Sequence, residues 1–204
     1  MNASPAAAQR PAPRLQVHGP LDAQRAPVEQ FIRRVYRERY DADVRQFAPV
    51  LLSLRDADGE IVAAAGYRPA DAGPLFLERY LGAPVDQLLA RDQADSATRP
   101  ARGSIVEVGH LAASRAGEGR RLITLLGPHL AAQGYQWVVS TLTEELRHLF
   151  VRLGIVPMAL GVADPAVLGD QAAAWGSYYD HRPVVLAGHI EQALQRLVRR
   201  GATQ

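Results

Sequence analysis

The spacing of apolar residues changes along this chain, and the change separates predicted strands from predicted helices. Residues 105–112 form a short apolar stretch rich in β-branched side chains, which is typical of a buried strand. From Arg120 onward the pattern fits one face of a helix, whose members are Leu122, Leu125, Leu126, His129 and Leu130. Gly117 and Gly119 lie between the two segments. The unit is therefore a strand, a glycine-rich turn and the start of a helix.

Similar patterns extend on both sides of this unit. They predict helices at 27–40, 84–89, 146–153 and 189–199, and strands at 15–18, 49–54, 61–67, 135–141, 157–162 and 183–187. Residues 75–81 alternate poorly, so they fit either a strand or a helix. Asp58-Gly59 predicts a hairpin turn, and Thr141-Leu-Thr-Glu144 predicts a helix capping box. The order of elements predicts an α+β protein with a mixed sheet flanked by helices. We expect a disordered tail over 1–14 and a single domain over 15–204.

Composition excludes several classes of chemistry. The 204 residues include no cysteine, which removes thiol nucleophiles, disulfides and thiolate metal sites. All 23 basic residues are arginine, which removes Schiff-base catalysis by lysine. The net charge of +2, without a long basic run, does not indicate a nucleic-acid partner. His129 and His148 have no partners at ligand spacing, so no metal site is predicted.

The chain also lacks the sequence features of a membrane or secreted protein. No stretch approaches the roughly 18 apolar residues of a membrane span. The first ten residues lack the charged and leucine-rich regions of a secretory signal. We therefore expect a cytoplasmic protein without stable membrane insertion.

The glycine-rich turn is suited to binding an anion. Glycines allow backbone N–H groups to approach a phosphate, the helix dipole favours negative charge, and Arg115, Arg120 and Arg121 add full charges. A Walker loop is excluded because the chain has no lysine, and a dinucleotide fingerprint lacks its third glycine and its acidic residue. The remaining alternative is a plain turn that joins a strand to a helix.

Several motifs resemble those of known acyl-transferring proteins. Ser114-Arg-Ala-Gly-Glu-Gly119 resembles the pyrophosphate loop of GCN5-related N-acetyltransferases, which runs Gln/Arg-x-x-Gly-x-Gly/Ala, although Ser114 occupies its first position here. The segment 148–155 resembles the late helix of that fold. Together, the segments 78–81, 107–111 and 175–179 resemble the bacterial thermostable hemolysin family, whose members are similar in fold to acetyltransferases and acyl-homoserine-lactone synthases. The resemblance covers roughly residues 28–188.

This resemblance implies an acetyltransferase-like (GNAT) fold and an acyl transfer reaction. The acyl donor would be a pantetheine thioester of acyl-CoA or acyl carrier protein, and the acceptor a small amine. The likeness to the synthases favours acyl carrier protein as a partner, and no cofactor would be bound permanently. The alternative is a non-catalytic protein that binds acyl carriers or lipid, or a membrane-active haemolysin, with the same fold.

Two titratable residues in the predicted strand are candidates for the catalytic base. Burial of Glu107 should raise its pKa toward that of a useful base, and the alternative is a glutamate neutralised by an arginine such as Arg79. Strict alternation places Glu107 and His110 on opposite faces of the sheet. A bulge at Gly109 would bring them to one face; without it His110 is a core residue. By resemblance, the amides of Val108 and Gly109 at such a bulge would meet the cofactor.

The remaining candidates come from resemblance and from their position in the chain. Tyr178 and Tyr179 lie where acetyltransferases place the tyrosine that protonates the leaving thiolate, although aromatic packing would also explain them. Glu78 and Arg79 are acceptor-site candidates by resemblance alone. Ser140 and Thr141, at the end of a strand, would bind a substrate carboxylate or cap the following helix.

Overall fold

Seven strands form one mixed sheet in a computed structural model that describes residues 14–92 and 99–201. Residues 1–13 of the expected tail lie outside this part of the chain. The strands are β1 (Leu15–His18), β2 (Val50–Arg55), β3 (Ile61–Pro69), β4 (Ile105–Ala113), β5 (Trp137–Leu142), β6 (Met158–Val162) and β7 (Val184–His189). Their spatial order is β1-β2-β3-β4-β5-β7-β6, and only β4 and β5 run parallel. The predicted order of elements and the α+β class are confirmed.

In the described part of the chain, five α-helices cover the two faces of the sheet: α1 (Arg25–Tyr40), α2 (Val85–Asp92), α3 (Glu118–Ala132), α4 (Glu144–Arg152) and α5 (Ile190–Gly201). On one face, the apolar side of α1 packs against Leu51, Ala64 and Ala112. On the other face, α3 and α5 pack against Leu52 and Val106. None of the helices within 14–92 and 99–201 is long and apolar enough to cross a membrane.

A bulge interrupts β4 beside its glycine. Ala64 of β3 pairs with Ala112 of β4, whereas Gly66 pairs with Gly109, so two steps along β3 correspond to three along β4. The extra residue is accommodated at His110, whose φ of 53° lies in the left-handed region. As a result, Glu107 and His110 project from the same face of the sheet. Of the two alternatives that the sequence left open, the structure therefore has the one with a bulge beside Gly109.

The parallel pair β4–β5 separates soon after it begins. Ile105, Val106 and Glu107 pair with Trp137, Val138 and Val139, and no further pairing joins the two strands. Beyond Glu107, β5 remains paired with β7, while β4 remains paired with β3. The sheet therefore opens between β4 and β5, and the bulge lies at the edge of the opening.

The glycine turn leads directly into α3. Gly117 precedes the helix with a φ of 89°, a conformation that favours glycine, and no side chain caps the first turn. The helix begins at Glu118, two residues before the predicted start at Arg120. The strand, turn and helix predicted from the apolar spacing are thus confirmed.

Two local predictions require correction. Thr141 lies within β5, where it pairs with Val185, and α4 begins at Glu144 after Thr143, whose side chain forms no capping hydrogen bond. The predicted capping box is wrong because sheet pairing extends through Leu142. The ambiguous stretch 75–81 forms neither a strand nor an α-helix but a short 3-10 turn, Phe76–Tyr80.

Candidate active site

A cavity of about 340 Å³ lies where β4 and β5 separate, on the face of the sheet that carries α1. Its floor includes Arg68 of β3 and residues 107–111 of β4. One wall comes from the end of α1 and the segment 43–48. A second wall comes from the 3-10 turns Pro165–Trp175 and Tyr178–His181. The structure therefore brings Glu107, His110 and Tyr178 together around one space.

Glu107 lies in the floor with both carboxylate oxygens held by backbone amides. The N–H of Phe76 donates to Oε2 (2.9 Å), and the N–H of Leu77 donates to Oε1 (3.0 Å). Burial raises the pKa of Glu107, and the two amides partly oppose this rise. Arg79 does not neutralise it, because its guanidinium donates to Gln171 (2.7 Å). Each carboxylate oxygen keeps a lone pair for a further hydrogen bond, so Glu107 can accept a proton from a group in the cavity.

His110 is held in one tautomer by the segment that follows α1. Its Nε2 lies 3.1 Å from the carbonyl oxygen of Gln46 and must donate, because a carbonyl can only accept. The lone pair on Nδ1 is therefore free, but Nδ1 is buried without a partner against Gly66. Burial lowers the pKa of His110 to about 4, so the ring is neutral near pH 7. With its basic nitrogen turned into the protein, His110 is less suited than Glu107 to act as a base.

The two candidate tyrosines have different environments. Tyr178 lines the cavity, is almost fully buried, and donates its hydroxyl to the carbonyl of Thr141 (3.2 Å) at the end of β5. The Tyr179 hydroxyl lies 2.6 Å from the Tyr80 hydroxyl, and it is Tyr80 that lines the cavity. Burial is the main reason that the pKa of both Tyr178 and Tyr179 is raised, which keeps both phenols protonated. Tyr178 is the one adjacent to the separated strands.

Glu78 and Arg79 do not line this cavity. The carboxylate of Glu78 accepts the N–H groups of Leu75 and Val85 (both 2.9 Å) and pairs with Arg102 (2.7 Å). Burial would raise the pKa of Glu78, but Arg102 and the two amides outweigh it, and the pKa is lowered. Glu78 therefore ties the turn at Phe76–Tyr80 to α2.

Ser140 and Thr141 point to opposite sides of the sheet. Thr141 lines the cavity described above. Ser140 is buried and donates its hydroxyl to the carbonyl of Val108 (2.7 Å) across the opening between β4 and β5. It lines a second, smaller cavity of about 90 Å³, which lies beside α3 and α5 and is surrounded mainly by aliphatic side chains. The structure thus does not bring these two residues to one ligand.

The arginines of the glycine turn surround the start of α3. Arg115 pairs with Asp56 (3.4 Å), Arg121 approaches Glu118 (3.7 Å), and the side chain of Arg120 is exposed. A Cβ added at Gly119 would only touch the Cβ of Ala113 at 3.7 Å, an ordinary contact. The uncapped first turn of α3 therefore presents backbone amides and guanidinium groups at one end of the opening.

Sequence reasoning missed several residues of the cavity. The rings of Tyr36, Tyr40 and Trp175 line it, and Arg68 extends into it from β3. Tyr36 and Tyr40 are four residues apart at the end of α1. This spacing predicts that both lie on the buried side of a helix, but it does not indicate a cavity next to them. Arg68 directly follows an apolar strand pattern. A charged residue in that position was the only available signal.

Main-chain contacts join the two walls of the cavity. The N–H of Asp43 donates to the carbonyl of Ala174 (2.7 Å), and the N–H of Ser177 donates to the carbonyl of Tyr40 (2.8 Å). Gly176 lies between them with a φ of 51°, and a Cβ at this position would collide with the carbonyl of Tyr40. The end of α1 and the second wall are therefore in direct backbone contact.

Comparison with known proteins places these features in context. The sequence profile of the thermostable hemolysin family matches residues 18–194 of the chain. No curated protein matches it in sequence.

Three solved structures illustrate the similarity in fold. TofI in an apo form has a TM-score of 0.63 and 23% identity, with 91% of this chain and 96% of TofI covered. FeeM, an N-acyl amino acid synthase from uncultured soil microbes, has a TM-score of 0.61 and 11% identity, covering 91% and 96%. BjaI, a CoA-dependent acyl-homoserine lactone synthase with bound SAM and isopentyl-CoA, has a TM-score of 0.61 and 14% identity, covering 93% and 89%. The acetyltransferase-like fold expected from the motifs is confirmed.

Proposed function

Because the chain belongs to the thermostable hemolysin family and has an acetyltransferase-like fold, we propose that it is an acyltransferase that moves an acyl group from a pantetheine thioester to a small amine. The observation that carries this proposal is the position of Glu107 in a cavity at the opening between β4 and β5. Acyl transfer to an amine requires a base for the nucleophile, hydrogen-bond donors for the oxyanion and an acid for the leaving thiolate. The cavity has a candidate for each.

The donor fits along β4. Beyond Glu107 no backbone pairing joins this strand to β5. The Val108 carbonyl accepts the Ser140 hydroxyl, and the remaining main-chain groups of this edge can bind the amide groups of a pantetheine arm. The first turn of α3, with Gly117, Gly119 and the adjacent arginines, lies where the phosphate end of the donor would bind. BjaI is a CoA-dependent relative in fold, which supports acyl-CoA as a donor. A carrier protein, whose prosthetic arm carries the same pantetheine, is the second donor covered by the proposal.

The acyl chain has a separate apolar space. The second cavity shares Val108 and Leu111 with the first, so the two meet at the opening of the sheet. Its lining is mostly leucine, isoleucine, valine and alanine, which favours a hydrocarbon chain. The thioester carbon then lies between the two cavities, beside the bulge at Gly109, where backbone amides are suited to stabilise the oxyanion.

The chemistry follows from this arrangement. Glu107 removes a proton from the acceptor ammonium, and the nitrogen attacks the thioester carbonyl. This attack forms the C–N bond. Collapse of the tetrahedral intermediate then breaks the C–S bond, and the thiolate takes a proton from Tyr178. The second proton of the attacking nitrogen passes to the Tyr178 phenolate, and Glu107 releases its proton to solvent. The products are an amide and a free thiol. The raised pKa of Glu107 improves it as a base, and the raised pKa of Tyr178 keeps its phenol protonated until the thiolate forms.

Thiol release provides a direct test. The purified protein would be mixed with acyl-CoA or acyl-carrier-protein donors of increasing chain length and with a panel of small amines, and the free thiol followed with a chromogenic thiol reagent. The protein itself gives no background, because it has no cysteine. Amide products would be identified by mass spectrometry. Amine-dependent thiol release supports the proposal, and its absence with every donor and acceptor refutes it.

A further inference from the structure

Arg68 differs from the other arginines near the cavity because its guanidinium has no partner. It forms no hydrogen bond or ion pair with the residues the structure describes, and its half-buried side chain lines the cavity. Neighbouring arginines are satisfied: Arg25 pairs with Glu29 and donates to the carbonyls of Ala48 and Pro49. A guanidinium that is partly removed from water without a partner is costly, and an anionic ligand would remove that cost.

The adjacent carboxylate does not serve as this partner. Arg68 on β3 is directly opposite Glu107 on β4. The charge of Arg68 opposes the rise in the pKa of Glu107, but the oxygens of Glu107 are held by the amides of Phe76 and Leu77, and no ion-pair contact joins Glu107 to Arg68. The floor of the cavity therefore presents a free cation and a proton-accepting carboxylate side by side.

Residues directly opposite each other in an antiparallel pair have Cβ atoms about 4.5–5.5 Å apart. Two long side chains that start at this spacing can contact two groups of one small molecule. An α-amino acid matches this arrangement, because its amine and its carboxylate are bonded to the same carbon.

We propose that the acceptor is an α-amino acid whose carboxylate binds Arg68 while its amine faces Glu107. This inference rests on the proposed acyltransferase function. The side chain of the acceptor would lie among the rings of Tyr36, Tyr40 and Trp175, which favour an apolar or aromatic group. The reaction forms the amide bond at the α-nitrogen, releases the thiol and leaves the carboxylate unchanged. The product is an N-acyl amino acid.

The role of Arg68 can be tested by removing the carboxylate from the acceptor or the guanidinium from the protein. L-phenylalanine and phenethylamine differ only by the carboxylate. With the native protein, kcat/KM should be roughly 10- to 100-fold higher for L-phenylalanine, the range of one charge-assisted contact. Arg68→Gln should remove this preference, because it should raise KM for L-phenylalanine much more than KM for phenethylamine. Arg68→Lys should restore part of it. Arg34→Gln, which removes an exposed arginine on α1, is the control for net charge.

Binding measured without any donor separates this inference from the proposed function. Calorimetry should show that L-phenylalanine binds the native protein and that Arg68→Gln binds it at least about 10-fold more weakly. Equal turnover of L-phenylalanine and phenethylamine would overturn the amino-acid inference but leave the acyltransferase proposal standing. Binding of L-phenylalanine that depends on Arg68, without any thiol release, would support the carboxylate site and refute the transferase. Binding that is unaffected by Arg68→Gln would overturn the inference.

Discussion

Replacement of Glu107 by glutamine separates its catalytic role from its structural one. The glutamine side chain has one oxygen instead of two, so one of the amides of Phe76 and Leu77 loses its acceptor. A buried amide left unpaired costs about 1–3 kcal/mol. In the opposite direction, the raised pKa of Glu107 shows that the folded protein favours the uncharged form, so loss of the charge recovers part of that cost. The net decrease in unfolding free energy should not exceed about 3 kcal/mol out of a typical 5–15 kcal/mol, and the variant should remain folded.

The expected effect on catalysis is much larger. Removal of a general base lowers turnover about 10²- to 10⁴-fold, whereas the donor should bind Glu107→Gln as it binds the native protein. A base acts in its deprotonated form, so kcat/KM of the native protein should fall as the pH drops through the pKa of Glu107. This acidic limb should lie above the ordinary carboxyl value of 4.5 and be missing in the variant. Thiol release over a pH series measures the effect, and urea unfolding of the same samples measures the stability.

A matched variant provides the control. Glu78→Gln also weakens an anchor of the Phe76–Tyr80 turn, because Glu78 accepts amides on both sides of it, but Glu78 does not line the cavity. It should lose stability and retain turnover once folded. If Glu107→Gln retains turnover within about threefold of the native value with the same acidic limb, the reasoning is refuted, and Glu107 only anchors the turn.

Three further outcomes are expected. Tyr178→Phe should lower kcat for thiol release and cost about 0.5–1.5 kcal/mol of unfolding free energy, because it removes one hydrogen bond; unchanged kcat would exclude this hydroxyl as the acid. Gly119→Asp should weaken donor binding about 10-fold or more in a titration. Gly119→Ala, whose methyl group would make an ordinary contact, should bind the donor normally. Equal binding by both variants would exclude the loop as the phosphate-binding site. Arg102→Met should destabilise the protein by about 3 kcal/mol near pH 7, because Glu78 and Asp86 lose their shared partner. The pKa of each carboxyl is lowered although burial alone would raise it, so the native protein should lose this stability as the pH falls below about 4. In unfolding experiments at acidic pH, the unfolding free energy of the variant should therefore depend less on pH than that of the native protein.

The parts of the fold that depend on local pattern could be predicted from the sequence. The change of period between 105–112 and the following helix identified β4, the glycine turn and α3. The hairpin at Asp58-Gly59 is present, since the N–H of Gly59 donates to the carbonyl of Asp56. In these cases the deciding interactions lie within a few residues of one another. The bulge beside Gly109 was one of two alternatives that the sequence left open, because it depends on the pairing of β4 with β3.

The parts that depend on distant partners could not be predicted. Glu107 was expected to be either free or paired with Arg79, but amides about 30 residues upstream hold its oxygens. Phe76–Tyr80 has no periodicity of its own, because contacts with Glu78, Glu107 and Arg102 set its shape. The free guanidinium of Arg68 is recognisable only once its surroundings are known. Roles assigned to single residues from position in the chain were therefore less secure than the elements that carry them.

The backbone contact at Gly176 bears on how this family could change its substrates. Main-chain groups of Tyr40, Asp43, Ala174 and Ser177 hold the two walls together, so this junction does not depend on which side chains project into the cavity. Evolution can therefore exchange the rings that line the interior while the frame stays fixed. Gly176 itself is excluded from such exchange, since any side chain would force the frame apart. Under the proposed acyl transfer, changes in the lining side chains within a fixed main-chain frame would let the preference for the acceptor diverge while the fold stays the same.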